Sequence, residues 1–419
     1  MVERKVLGVG IVGAGFIGHF HAKSFTGVRD ADIVAVASRS RASADNLAAE
    51  ARNLNVGDAK AYDTVAELVR DPRVDAVWVL VPNHVRLEVV SQIIEEVNNG
   101  AELVGIAIEK PLGRNLAESN QILEMVQGAG LLHAYLENQV YAPGVVRSHE
   151  LVWARGAKIA GTPYLARCME EHSGPHADWF WDGESQGGGV LSDMMCHSIE
   201  AARYLLTPPG TKPSEWLTPV SVEATIASLK WGRDRYAAQL KEDYPDAPDY
   251  RTQPSEDYAR ATYTFINGDG EPVIAETGTS WAFDGAGLRL LFELLGPEYS
   301  MSVDTLDPEA NIFLSRALQQ QEGEDLVEKQ NAEQGLMPVV PDEPGAYGYT
   351  AENATVTSAF LRGEQPRESL VEGLEVTELL MAAYKAAETG ERVTWPVDLG
   401  DFTPAVARGT WNPRKDLQG

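Results

Sequence analysis

The sequence predicts an α/β amino-terminal unit built on a doubly wound parallel sheet, followed by an α+β unit with one open, mostly antiparallel sheet. Three observations predict it. Residues 1–142 alternate short apolar runs with helix-compatible segments, the rhythm of strand–helix–strand crossovers. After about Pro143 that rhythm stops, and period-two segments joined by turns such as Asn267-Gly268-Asp269-Gly270 take over. The length, 419 residues, exceeds what one core ordinarily covers. Two domains are therefore expected, 1–142 and 143–419, with carboxy-terminal helices able to pack back on the first.

Composition narrows the function classes. The net charge of −27 argues against nucleic acid or an anionic membrane as a partner, because each needs a basic face. No stretch approaches the roughly 18 apolar residues of a spanning helix, and the apolar run near the start is broken by Gly8, Gly10, Gly13 and Gly15. Two cysteines, Cys168 and Cys196, make no disulfide framework and suit a reducing compartment, so a cytoplasmic location is expected.

Taken in order, residues 6–12 are a buried strand, Gly13-Ala14-Gly15-Phe16-Ile17-Gly18 is a G-x-G-x-x-G turn, a helix follows, and residues 32–37 are a second strand. That context is the one the Rossmann dinucleotide fingerprint requires: a tight turn, a backbone able to approach a pyrophosphate, and a helix N-terminus facing it. The second strand ends in Ser38-Arg39-Ser40. No acid is present there to accept from a ribose 2′-hydroxyl, and Arg39 can neutralise a 2′-phosphate, so NADP is expected over NAD. The alternative is that Arg39 stacks on adenine and either cofactor is accepted. Later strands, 76–81, 103–108 and 131–136, end in Pro82-Asn83-His84, Glu109-Lys110-Pro111 and Glu137-Asn138. Ligands of such sheets bind outside the carboxyl ends of the strands, which makes these residues candidates to contact the cofactor.

In the second half, Gly187-Gly188-Gly189 leads an apolar helix carrying Asp193 and His197. The glycines suggest a backbone approached by something flat, or a turn with no room for a side chain. Residues four apart share a helix face, and a carboxylate beside an imidazole is an acid/base pair or a buried, satisfied histidine. The loop 171–182 holds His172, His176, Asp178, Trp179, Phe180 and Trp181, whose rings suit sugar C–H faces and whose polar groups suit hydroxyls, although Trp179 and Trp181 also read as core anchors. His172 and His176 flank Gly174-Pro175 rather than a helical face, so no metal is expected. Residues 232–255 and 319–345 read as insertions, surface excursions or assembly loops. Residues 350–393 read as two helices.

The fingerprint, Glu109-Lys110-Pro111, the glycine run with Asp193 and His197, and Thr389-Gly390-Glu391-Arg392-Val393 together resemble the Gfo/Idh/MocA oxidoreductases, relatives of glucose–fructose oxidoreductase and inositol dehydrogenase. The resemblance implies an NAD(P)-dependent enzyme that moves a hydride between nicotinamide and a secondary alcohol or ketone of a sugar or cyclitol. It implies a catalytic group of Lys110, Asp193 and His197, a cis or strained peptide before Pro111, and subunit contacts through the second-domain sheet as a homodimer or homotetramer. The sequence departs from the family where Arg86 replaces a frequent His and Val140 a frequent Arg. Other functions on this fold are an NAD-dependent glycosidase and a non-catalytic nucleotide- or sugar-sensing regulator. The acidic loop, with no Lys or Arg from Glu171 up to Arg203, points to an uncharged polyhydroxylated ring, unless Arg260 or Arg289 supplies a cation.

Overall fold

The computed structural model describes residues 5–285, 287–306, 310–314, 335–340 and 342–413. The chain divides into two compact units, residues 1–143 with 344–377 and residues 144–343 with 378–419.

The first unit is a six-stranded parallel sheet in the order β3-β2-β1-β4-β5-β6. Its strands are β1 (Leu7–Val12), β2 (Ala31–Ala37), β3 (Lys60–Tyr62), β4 (Ala76–Val79), β5 (Gly105–Glu109) and β6 (Leu132–Leu136). The interposed helices are α1 (Phe16–Ser24), α2 (Arg41–Asn53), α3 (Val65–Val69), α4 (Asn83–Asn98) and α5 (Leu116–Gly128). Every residue of β1, β4 and β5 is buried, as expected of strands covered on both faces. The short edge strand β3 was not anticipated, since three residues carry too little periodicity to register.

In the second unit, α6 (Pro143–Leu151) runs through a π-helical turn, Val152–Ala157, into α7 (Lys158–Ala160). Strand β7 (Leu165–Glu171), α8 (Gly183–Gln186), α9 (Val190–Leu206) and α10 (Pro213–Trp216) follow. Then come β8 (Thr218–Ala227), α11 (Asp234–Asp243), β9 (Tyr258–Ile266), β10 (Pro272–Ser280), β11 (Arg289–Gly296) and β12 (Tyr299–Asp304). With β15 (Val393–Thr394) these strands form a sheet in the order β12-β11-β7-β10-β9-β8-β15. All its pairings are antiparallel except β7 with β10. Strands β13 (Ala310–Leu314) and β14 (Gly335–Val339) pair with each other, and residues 315–334 of the second expected insertion and its lead-in lie outside the described residues.

The other insertion is more than a surface excursion. It carries α11, and its Tyr244 and Tyr250 pack with Trp231 around the buried Trp181, at ring separations of 6.0, 5.7 and 5.0 Å. The polar composition hid these contacts because only a few of its residues face inward.

After α12 (Glu343–Ala346) the chain forms α13 (Tyr349–Arg362) and α14 (Leu370–Thr389), which bear out the two expected helices. In the first unit, α13 lays Val356 and Phe360 into the apolar core of the parallel sheet. Its Asn353 accepts from Trp78 Nε1 at 2.8 Å, a polar anchor inside that core.

Candidate active site

The three glycines of the turn after β1 do three different things. Gly13 has φ +113°, and a Cβ there would lie 2.2 Å from the Leu80 carbonyl oxygen. A Cβ on Gly18 would lie 2.4 Å from the Gly13 carbonyl oxygen, so this glycine lets α1 close on the turn. At Gly15 a Cβ would meet nothing within 4 Å. That side is open, and Gly15 is also the N-cap of α1, with no side chain to cover the helix amides. An unobstructed backbone at a helix N-terminus fits a dinucleotide pyrophosphate. Phe16 and Ile17 begin that helix.

Past β2, Ser40 caps α2 by accepting from the Ser43 amide, and Arg41 is held by Asp45 and Asp63. Arg39 is exposed and has no ion pair among the described residues; Ser38 is half-buried. The guanidinium of Arg39 is thus available to an incoming anion, whereas that of Arg41 is already neutralised.

The ends of β4, β5 and β6 are tied down by polar contacts. Pro82 and Asn83 open α4, with Asn83 buried and His84 exposed. Arg86, one turn on, is buried and donates to the carbonyls of Pro111, Val81 (3.1 Å) and Lys110 (3.5 Å). It clamps the Lys110–Pro111 segment, whose peptide bond is cis. Glu109 meets His21 Nε2 at 3.1 Å and accepts from the Lys110 amide at 2.8 Å. Glu137 accepts from the Gln139 amide, and Asn138 donates to the Tyr347 carbonyl at 2.7 Å. Glu109, Glu137 and Asn138 therefore hold the strand ends with their side chains, and Lys110 stands half-buried among them. Val140 is fully buried and lies in the short turn after β6.

In the second unit every residue of α9 is buried, including Asp193 at 5% and His197 at 3% exposure. The helix lies against β7 and β10. Asp193 Oδ2 accepts from Trp281 Nε1 at 3.2 Å. Trp281 is fully buried at the end of β10 and packs 5.4 Å from Trp181. Sequence reasoning missed Trp281, because an indole at the end of an apolar strand reads only as core.

The loop after β7 divides into buried and accessible parts. His172 is buried, and its Nδ1 accepts from the Gly174 amide at 3.0 Å. Trp181 is a core anchor. His176 is exposed, while Trp179 is half-buried and stacks on Phe180 at 3.8 Å. The glycine run before α9 does not face a flat ligand. A Cβ on Gly188, at φ +153°, would lie 2.0 Å from the Tyr384 hydroxyl, and one on Gly189 would lie 2.5 Å from the Glu256 carbonyl oxygen. What approaches the backbone is the protein's own Glu256 and Tyr384.

A glycine turn of this form on a six-stranded parallel sheet defines a dinucleotide-binding Rossmann unit. Comparison with known proteins agrees. Residues 7–135 match the oxidoreductase family model described as an NAD-binding Rossmann fold, and residues 156–298 match the GFO/IDH/MocA C-terminal domain. The chain belongs to the Gfo/Idh/MocA oxidoreductase family. It is 26% identical over 238 residues to the rhizopine catabolism protein MocA of Rhizobium meliloti, covering 57% of this chain and 68% of that protein. It is 28% identical over 198 residues to the myo-inositol 2-dehydrogenase of Thermotoga maritima, covering 47% and 54%. Beyond the first of these, the chain spans about half the length of the curated relatives it matches.

Among solved structures, GenD2 from gentamicin A biosynthesis in complex with NAD superposes with a TM-score of 0.74 at 25% identity, covering 94% of this chain and 97% of that one. Levoglucosan dehydrogenase in complex with NADH and levoglucosan gives 0.68 at 18% identity, covering 94% and 100%, a likeness of fold. No helix among the described residues is long and apolar enough to cross a membrane.

Proposed function

We propose that this protein is an NAD(P)-dependent dehydrogenase or reductase of a sugar, cyclitol or related polyol. The observation that carries the proposal is a chain of this family that keeps Lys110 at the end of a parallel strand and Asp193 with His197 on successive turns of one buried helix. The relatives named for myo-inositol and levoglucosan support the substrate class.

When bound, the nicotinamide accepts or delivers the hydride, and the protein supplies orientation and proton traffic. His197 takes the hydroxyl proton as general base. Lys110 donates to the same oxygen and stabilises its alkoxide character. Asp193, fixed by Trp281, orients His197 or a neighbouring substrate hydroxyl. Trp179 lines the substrate with His176, and His172 shapes the loop from behind. Gly13, Gly15, Phe16, Ile17 and Gly18 receive the pyrophosphate, and Pro82, Asn83 and His84 flank the nicotinamide half with Glu109, Glu137 and Asn138. Arg39, lacking both an acidic neighbour on its strand end and an ion pair among the described residues, supports NADP over NAD, whereas GenD2 and levoglucosan dehydrogenase were solved with NAD and NADH.

The substrate is an uncharged ring. Arg289 is paired with Glu171 at 2.8 Å, and Arg260 lies exposed on a strand whose alternate residues Ala259, Ala261 and Tyr263 are buried. Neither supports a phosphate subsite. The partly exposed face of the second sheet, with Leu165, Met169, Leu291 and Leu295, supports assembly into a homodimer or homotetramer. Cys168 and Cys196 are buried and form no disulfide, which suits the cytoplasm.

The test is a panel of sugars and polyols followed at the nicotinamide absorbance with NAD and with NADP. Oxidation of a free polyol supports the reading. Turnover of glycosides without net cofactor reduction would replace it with the glycosidase, and binding without turnover with the regulator.

A further inference from the structure

An α-helix begins with four backbone N–H groups that have no partner within the helix, and a Ser, Thr, Asp or Asn side chain usually takes one of them. The N-cap of α9 is Gly189, which has no side chain to offer. Its amides are taken instead by two residues far away in sequence. Glu256 Oε1 accepts from Gly189 and from Leu191, each at 3.0 Å. The Glu256 backbone carbonyl accepts from Val190 at 3.1 Å. The Tyr384 hydroxyl accepts from Gly189 at 3.0 Å and from Ser192 at 3.2 Å. Tyr384 then closes the network by donating to Glu256 Oε1 at 2.6 Å. The next amide, Asp193, makes the first bond inside the helix, to the Gly189 carbonyl. Every donor of the first turn is thus satisfied, and the two acceptors are fully buried.

The glycine run is the condition for this arrangement. Any side chain on Gly188 or Gly189 would occupy the place of the Tyr384 hydroxyl or of Glu256. The same strand end reaches the other side of the site. Asp257 accepts from Leu229, Lys230 and Trp231, and its carbonyl accepts from the amide of Trp281, the residue that holds Asp193.

We propose that Glu256 and Tyr384 are positioning residues for the reaction, a remote cap that fixes the first turn of α9 and thereby aims Asp193 and His197. The proposal rests on the reading of Asp193 and His197 as the proton-handling pair. The cap also carries a charge that changes near neutrality. Burial pushes the Glu256 carboxyl up to about 7 against the hydrogen bonds from Tyr384, Leu191 and Gly189, which favour its ionised form. The groups around it are Tyr384 from α14, Tyr250 from the insertion and Asp257 beside it; Tyr250 feels the charges of Glu256 and Asp257. Burial holds both tyrosines well above the ordinary tyrosine value, so they stay neutral when Glu256 loses its proton.

The experiment uses the full chain with its best substrate from the panel. His197→Ala is the reference. If it turns over at the wild-type rate, the reading of the site fails and the cap proposal with it. With His197→Ala impaired, Tyr384→Phe is expected to lower kcat between about 10- and 100-fold, the scale of a small misplacement of reacting groups. Its cofactor Kd should be unchanged, and hydrogen exchange should rise in the peptide spanning 187–195 but not in the rest of α9. Glu256→Gln keeps the size and one acceptor and loses the charge, so its kcat/KM relative to wild type is expected to vary across pH 6–8. A Tyr384→Phe enzyme with wild-type kcat and unchanged exchange, or a Glu256→Gln ratio constant across that range, overturns the proposal while leaving His197 in its role. Exchange at 187–195 reads the cap even in a variant that has lost activity.

Discussion

Glu256 makes a specific demand on stability. Its ordinary value is 4.5, and in the folded protein it is pushed up to about 7, because burial outweighs its hydrogen bonds. A group whose folded pKa is raised binds its proton more tightly in the folded state. Its contribution is fully present below pH 4.5 and is lost as pH rises through 7. The difference between the two values corresponds to about 3 kcal/mol, most of it falling between pH 5 and pH 8. The perturbation is Glu256→Gln, which cannot titrate. Other ionisable groups contribute equally to both proteins, so the stability of wild type minus that of the variant isolates this one. That difference is expected to fall by about 2–3 kcal/mol from pH 5 to pH 8. Urea unfolding followed by tryptophan fluorescence at four pH values measures it, since Trp181, Trp231 and Trp281 lie in one cluster within the same unit. A difference constant to within about 0.5 kcal/mol would refute the reasoning, for Glu256 would then titrate alike in both states.

Four further outcomes are expected. Lys110→Ala and His197→Ala should each lower kcat by about 10²- to 10⁴-fold while cofactor binding, read by fluorescence titration, stays near normal; near-normal turnover in both would sink the catalytic assignment. Arg39→Ala should weaken NADP more than NAD in isothermal titration, and equal losses would mean that Arg39 contacts adenine rather than phosphate. A free sugar should have a higher kcat/KM than its phosphate, and the reverse preference would redirect attention to Arg260 and Arg289. Arg86→Ala leaves the buried carbonyl of Pro111 and the half-buried one of Val81 without this donor, so thermal unfolding should move down by several degrees, in keeping with about 1–3 kcal/mol for a buried unsatisfied group.

How much of this could be read in the chain depends on the range of each signal. The spacing of Gly13, Gly15 and Gly18, the apolar strands β1, β4 and β5, and the alternation along β9 and β11 are local patterns, and each names its element without reference to the rest of the molecule. The helix with Asp193 and His197 was equally visible, as were the strand ends that carry Lys110 and Asn138. Strand β3 escaped because it is too short for a period, and the inward residues of α11 because they are few among polar ones.

What the sequence by itself determined, then, is the order of the longer elements, the glycine turn after β1, and which side chains stand as candidates for chemistry. Only the tertiary structure decided who satisfies whom. Buried polar groups must find partners wherever the fold brings them, and nothing in the local pattern marks the partner. Glu256 reads as a charged residue before a strand, Tyr384 as one aromatic in an apolar helix, and Trp281 as core. Folded, the first two close the start of α9, the third holds Asp193, and the glycines that seemed to await a flat ligand make room for a carboxylate and a phenol of the same chain.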